Sequence, residues 1–428
     1  MALISADLLP QAISALGLFA FIAMAWAMST DRMNVDWRLV ISGILLQVFF
    51  AVTVLWTNPG LMLFEAFKDA FNSVLGFVSS GSDFVFRLNQ QGSEDNFPPP
   101  DLLMRSFTFG VMPTVIFFSA LTSILYHFGI MQRIVGGLAF VMRKTLRTSG
   151  PESLAVAANV FIGHTEAPLV VKPYLNKMSL SELNALMVGG FSTISGGLLA
   201  VYAGMGIDPG HLLTASVISA PASLIVAKIL IPQSEIAETE TTVVEAPKSE
   251  TTNAIEAASV GATDGMKLAI NIVAMLIAFL GLIAMLDAAI QWTGSWVGFT
   301  GTDAITLSRL IGYIFSPVAF LMGIPSGECL EAGQLVGIKI IANEFIAYER
   351  LSGLIASGDT LSPRSITILT YALSGFSNFA SIGIQIGGIS ALAPDRRSDL
   401  ARLGLRAMLG GVIVCCMTGS IAGMLTRP

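Results

Sequence analysis

Charge is scarce in this chain: 12% of its 428 residues are Asp, Glu, Lys or Arg, against 54% hydrophobic. A mean hydropathy of +0.74 lies far outside the range of water-soluble globular domains. Basic patches are absent, which excludes a nucleic-acid binder. Cysteine is scarce too, and Cys329, Cys415 and Cys416 form neither a metal-ligand spacing nor a disulfide framework. No zinc motif, phosphate-binding glycine loop or set of nucleophile, base and orienting group occurs, so enzymatic catalysis is not expected. A cleavage signature is also missing. The first apolar run ends in Met28, Ser29, Thr30, Asp31 and Arg32, so it reads as a helix rather than a removed signal.

What is present reads as an all-α polytopic membrane protein. Roughly 20 residues at 1.5 Å each cross the hydrocarbon, and such runs lie near 8–28, 39–56, 106–126, 185–205, 211–231, 268–290 and 405–424, with a further Gly- and Ser-rich span around Gly375. The expected architecture is about eight transmembrane helices, two re-entrant hairpins and interfacial helices. Its divisions are 1–60, two N-terminal transmembrane helices; 61–132, an interfacial helix, external loop and a further helix; and 133–232, a re-entrant hairpin and two helices. A linker at 233–262, a helix and external segment at 263–309, and a second re-entrant hairpin with two helices at 310–428 complete them. In the linker, Glu235, Glu238, Glu240, Glu245, Glu250 and Glu256 face only Lys248, so most of the net charge of -6 sits there. That stretch is expected to be cytoplasmic, disordered and solvated. Arg32 and Arg38, then Arg133, Arg143, Lys144 and Arg147, then Arg396, Arg397, Arg402 and Arg406 mark the cytoplasmic side and put the N-terminus outside.

Against this background, Asn159–Pro168 (NVFIGHTEAP) stands out, because it puts a carboxylate, an imidazole, a hydroxyl and an amide inside an apolar region. An acidic side chain at membrane depth costs about 2.5–3.5 kcal/mol even on lenient insertion scales, so Glu166 is a functional-site candidate. Asn343, Glu344 and Phe345 have the same character in the second half. Each cluster breaks its apolar stretch and reads as a re-entrant hairpin, since non-helical backbone at that depth is tolerated where it lines a cavity. Each hairpin is followed by an interrupted span, GFSTISGG from Gly190 and GFSNFASIG from Gly375, and then by a further span. Such duplication with opposite loop charge is the pattern of inverted repeats in secondary transporters, where substrate binds near the midplane.

Four ordered blocks, GHTEAPLVVKP, GGFSTISGGLLAVYAG, GIKIIANEFIAYERL and YALSGFSNFASIGIQIGG, resemble the signature blocks of the concentrative nucleoside transporters in their bacterial, NupC-like form. The resemblance covers nearly all of the chain beyond the first two spans. It implies an elevator-type secondary importer of purine or pyrimidine nucleosides, a homotrimer in the bacterial inner membrane, with sodium as coupling ion and no organic cofactor; 61–132 and 263–309 then carry the scaffold helices, and 133–232 and 310–428 are the two halves of the moving transport domain. By the same resemblance His164, Thr165 and Glu166 meet the nucleobase, while Glu344, Asn378 and Ser381 hold the ribose hydroxyls. Leu198 and Phe376 match apolar positions that pack on the nucleoside. Asn159, the carbonyls of Ile162 and Ile194, and Thr193 match the sodium site.

The residue chemistry agrees with those roles. An ionised carboxylate is a strong acceptor for both hydroxyls of a diol, and an amide or hydroxyl both donates and accepts. The family usually has Gln at the position of His164, which leaves base preference open, and a histidine there raises pH-dependent transport as an expectation. Proton coupling remains the alternative, with a carboxylate or His164 as carrier; another small polar solute is a further one. His127 and His211 are expected at the interface, and Lys172, Lys177 and Lys339 as orientation charges or snorkelling side chains.

Overall fold

Two helices of spanning length, α1 (Leu9–Ala27) and α2 (Trp37–Trp56), open the computed structural model, which describes residues 9–86, 107–234, 237–239, 251–296, 306–358 and 361–426. Asp36 starts α2 by accepting from the Arg38 and Leu39 amides, which satisfies two of the donors that every helix start leaves orphaned. The amphipathic α3 (Asn58–Phe86) follows and is not among the helices apolar enough to span. The external loop expected after it lies outside the described residues.

The rest of the described chain runs twice through one sequence of elements. The first pass is a span, α4 (Met112–His127), and an amphipathic helix, α5 (Ile130–Leu146). A hairpin follows, with α6 (Gly150–Asn159) and the short α7 (Ala167–Val170) as its arms. Then come a broken span, α8 (Leu180–Ser192) and α9 (Gly196–Gly204), and a long helix, α10 (Pro209–Leu230). The second pass is α11 (Ala254–Ser295), the amphipathic α12 (Leu307–Leu321), a hairpin of α13 (Cys329–Ile341) and α14 (Glu344–Ser357), a broken span of α15 (Pro363–Leu373) and α16 (Phe379–Leu392), and α17 (Arg397–Leu425). Seven described helices are long and apolar enough to cross a membrane when α8 and α9 are taken as one. The α15–α16 span supplies the eighth, its break at Ser374–Asn378 interrupting the apolar run.

Packing divides these elements. Helices α8, α10, α15 and α17 form the buried centre, with α1 lying along α17 and α2 along α10. Close approach at this centre needs small residues: a Cβ on Gly411 would stand 2.4 Å from that of Phe191, and one on Gly375 2.8 Å from the Phe191 carbonyl. Helix α4 pairs instead with α11, crossing where Gly261 and Gly265 meet Ser119, a small-residue spacing that brings membrane helices together.

Three expectations change. The 42-residue α11 begins at Ala254, inside the stretch read as linker, because Asn253 accepts from the Glu256 amide and caps it. Glu256 therefore belongs to a first helical turn, and at 1.5 Å per residue α11 is roughly 63 Å long, about twice the hydrocarbon thickness. The linker is also docked at one point, since Thr239 is buried and donates to Glu182; residues 235–236 and 240–250 lie outside the described residues, as does most of the expected disorder. Lys339 is not a snorkelling charge. It is 2% exposed, with Nζ donating to the Ala372 carbonyl at 3.0 Å, near the end of α15 where unsatisfied carbonyls carry partial negative charge.

A buried polar cluster fastens the first half. Ser149 and Ser179 each start a helix with a reciprocal capping box, to Glu152 and Glu182, and Ser149 Oγ donates to Glu182 Oε1 at 2.6 Å. Lys228 on α10 pairs with Glu152 at 2.7 Å, both side chains being at most 8% exposed. Its ammonium also donates to Ser181 Oγ and Gln233 Oε1. One cluster thus ties the base of the first hairpin to α8 and α10.

Candidate functional site

The hairpin tips and the helix breaks meet at a cavity of about 840 Å³. One wall is the tip of the first hairpin, where the chain leaves helix after Asn159 and turns back as the Glu166 and Ala167 amides both donate to the Gly163 carbonyl. His164 is buried there with its ring edge-on to Phe376, centroids 4.5 Å apart, whereas Thr165 and Glu166 are exposed toward the cavity. Gly190 lies beneath, and a Cβ on it would stand 2.7 Å from that of His164, so the tip seats on α8 only because that position is bare.

The facing wall is the second hairpin. Asn343 caps α14 by accepting from the Ile346 amide, which puts Glu344 at the first helical position. Glu344 is 4% exposed. Tyr202 Oη donates to its Oε1 at 3.1 Å, and Asn378 Nδ2 donates to its Oε2 at 3.2 Å. Asn378 is oriented by its own role as cap of α16, its Oδ1 accepting from the Ser381 amide at 2.9 Å. All eight residues expected at the substrate, His164, Thr165, Glu166, Leu198, Glu344, Phe376, Asn378 and Ser381, line the one cavity.

The expected ion residues sit beside it. Asn159 closes α6 and is 1% exposed; its Nδ2 donates to the Ala155 carbonyl at 3.1 Å, and its Oδ1 is buried with no hydrogen-bond partner. Thr193 and Ile194 form the break between α8 and α9, where Thr193 is extended and so ends the helical hydrogen bonding. Ile162 follows the end of α6 and lines the cavity. An orphaned amide oxygen beside a helix break is a neutral, hard-oxygen setting of the kind a sodium ion takes. Among the described residues no group of three or more His, Cys, Asp or Glu could hold a metal ion.

The third wall belongs to the separate pair: Ser119, Ser123 and Tyr126 from α4, and Asp264, Lys267 and Asn271 from α11. The sequence reading missed these residues and Tyr202. Asp264, Lys267 and Asn271 recur at i, i+3 and i+7, a polar stripe on one face of a span, and that signal was legible. Tyr202 gave none, because a tyrosine in an apolar run reads as packing.

The chain matches the profile described as "Na+ dependent nucleoside transporter C-terminus" over residues 211–423, its N-terminus counterpart over 16–88, and "Nucleoside recognition" over 108–208. The chain belongs to the sodium-dependent nucleoside transporter family. Among similar proteins, an uncharacterized transporter of Haemophilus influenzae is 40% identical over 414 residues, covering 96% of this chain and 97% of that one. Sodium/nucleoside cotransporter 1 of Mus musculus is 37% identical over 98% of this chain, which spans 64% of that longer protein. The solved structure of CNTnw in an inward-facing substrate-bound state is 37% identical, with a TM-score of 0.90 over 98% of each chain. The transporter is thus a multi-pass membrane protein whose relatives carry solutes and are not enzymes. Its "Nucleoside recognition" match contains the first hairpin and first broken span, and its C-terminal match contains the second of each.

Proposed function

We propose that this transporter is a symporter that imports purine or pyrimidine nucleosides down a sodium gradient across the inner membrane of a bacterial cell. The observation that carries the reading is the buried Glu344 carboxylate, which receives one protein donor on each oxygen beside a roomy cavity. A carboxylate has about four lone-pair positions, so each oxygen keeps capacity for one hydroxyl of a ribose diol, with Asn378 and Ser381 completing the contact. His164, Thr165 and Glu166 present the base-recognition edge, and Leu198 and Phe376 pack on the rings. In place of an amide's parallel donor and acceptor pair, His164 offers one donor and one acceptor on a ring, so the geometry it presents to a base edge differs from that of an amide.

Sodium is cargo here. Asn159 Oδ1, Thr193 and the carbonyls of Ile162 and Ile194 hold it, and the unpartnered Asn159 oxygen supports that role. One positive charge moving down 100 mV yields about 2.3 kcal/mol, and a tenfold gradient about 1.4 kcal/mol more. One ion per nucleoside then supports roughly 500-fold accumulation.

The cavity lies between the α4–α11 pair and the body that carries both hairpins. That placement supports alternating access of elevator type, in which 133–232 and 310–428 form the moving transport domain and 61–132 and 263–309 the scaffold. Helix α11 is apolar and largely exposed on its outer face, at Ile270, Ile277, Met285 and Trp292 among others, which suits a homotrimer built on the scaffold with lipid around it.

Uptake of labelled uridine and adenosine into liposomes holding purified protein tests the reading, with inward sodium and proton gradients compared at equal voltage. Uphill uptake driven by sodium is expected. Proton-driven uptake would move the coupling to an ionisable group, and no concentrative uptake under either gradient would refute the substrate.

A further inference from the structure

Tyr202 is wholly buried in α9, on the first pass of the duplicated fold, and its hydroxyl donates to a carboxylate on the second pass, 142 residues away. Its ring is held from behind. Tyr348 stacks on it with centroids 4.3 Å apart and planes at 30°, and the Tyr348 hydroxyl is itself spent on the Thr370 carbonyl at 2.7 Å. Phe345 closes a further side at 6.2 Å. The phenol therefore has little freedom to leave Glu344, and its oxygen lies where the carboxylate would otherwise swing.

Glu344 needs such a holder. Asn378 meets only Oε2, and Tyr202 is the donor from a second element that holds Oε1. A carboxylate that rotates does not keep both oxygens aimed at two neighbouring hydroxyls, and ordering it during binding would weaken the complex. Donors from the two passes, Tyr202 on Oε1 and Asn378 on Oε2, fix both oxygens before any ligand arrives.

We infer that Tyr202 is a positioning residue that presents Glu344 to the vicinal diol of the sugar, and so sets the transporter's preference for ribonucleosides over sugars lacking the 2′ and 3′ hydroxyls. This rests on the proposed role of Glu344. The stacked Tyr348 ring acts in the same unit, since it limits where the Tyr202 ring can move. Nothing in this role requires Tyr202 to touch the nucleoside, and it is absent from the cavity lining.

The test compares Tyr202→Phe with the parent in proteoliposomes, using uridine and 2′,3′-dideoxyuridine. Phenylalanine keeps the ring and its stack, so only the hydroxyl is lost. The expected result is a rise of about tenfold in KM for uridine, equivalent to about 1.4 kcal/mol, with the KM for dideoxyuridine unchanged, so that discrimination between the two sugars collapses by the same factor. A structural role alone would move both substrates together. An unchanged uridine KM, or an equal rise or joint loss for both sugars, would overturn the inference. Where uptake is too slow to measure, calorimetric titration of the purified variant with the same two ligands reads the same ratio. Failure of the parent to carry uridine at all would instead count against the nucleoside reading, so the two failures are distinguishable.

Discussion

Replacing Lys228 by Met removes the positive partner of Glu152 without leaving a large void. The pair is 2.7 Å long with side-chain exposures of 8% and 3%, so water cannot take over the vacated contact. Breaking a buried pair in this way costs about 3–5 kcal/mol, mostly because the surviving charge is stranded. Two further hydrogen bonds from the ammonium, to Ser181 and Gln233, are lost as well, which places the expected effect toward the upper end. The same arithmetic predicts rescue, because Lys228→Met combined with Glu152→Gln removes the stranded charge and should recover at least half of the loss. Thermal unfolding of the purified protein, followed by the two single variants and the double, gives the coupling directly. Since the cluster ties the first hairpin to α8, Lys228→Met should also raise the KM for uridine, and the double variant should lower it again. A Lys228→Met protein as stable as the parent, or a double variant no better than the worse single one, would refute the reasoning.

Other expectations follow from the site. Asn159→Ala should shift the sodium concentration for half-maximal uridine uptake upward by about tenfold or more, a loss near 1.4 kcal/mol; an unchanged sodium curve would remove Asn159 from the ion site. Glu344→Gln exchanges one acceptor oxygen for a donor and removes the charge, and a hydrogen bond to a charged group is worth about 1.5–3 kcal/mol. Uridine uptake efficiency should therefore fall by roughly 10- to 150-fold, and an unaffected efficiency would contradict the diol assignment. His164→Gln should change the ratio of uridine to adenosine uptake, and matching uptake profiles from pH 5.5 to 8 in variant and parent would dismiss a titrating His164. Outside the membrane, the hydrogen bond that Lys68 donates to Asp208 raises the Lys68 pKa above 10.5, while Asp208, which burial alone would push up, is held below 3.8 by Lys68 and the His211 side. The Lys68 contribution is full below pH 10.5 and lost as pH rises through its higher folded value. That of Asp208 is full above 3.8 and lost as pH falls through its lower one. Since the His211 pKa is lowered from 6.5 by burial, hydrogen exchange in α3 should thus be constant in protection between about pH 7 and 9, and a change inside that window would argue that this pair does not dock the helix.

The class of the molecule and its duplicated order were legible in the chain, because both rest on short-range physics. Twenty apolar residues cannot stay in water, and a carboxylate such as Glu166 or Glu344 inside such a run is too costly to be incidental. Helix breaks at Thr193 and Asn378 were readable for the same local reason, from glycine and serine in runs that should have been continuous. What only the tertiary structure decided is which of these groups face one another. Tyr202 and Lys339 carry no local signal, since a tyrosine packs and a lysine snorkels unless a distant carboxylate or helix end gives it a partner. Those partners, Glu344 and the end of α15, are brought up by the packing of two hairpins into broken helices. Asn253 is a similar case on a smaller scale: composition made its surroundings look like linker, and a single cap, with α4 to pack against, made them the start of α11. Local cost shows where polar groups are unusual, whereas the geometry that satisfies them is a property of the whole fold.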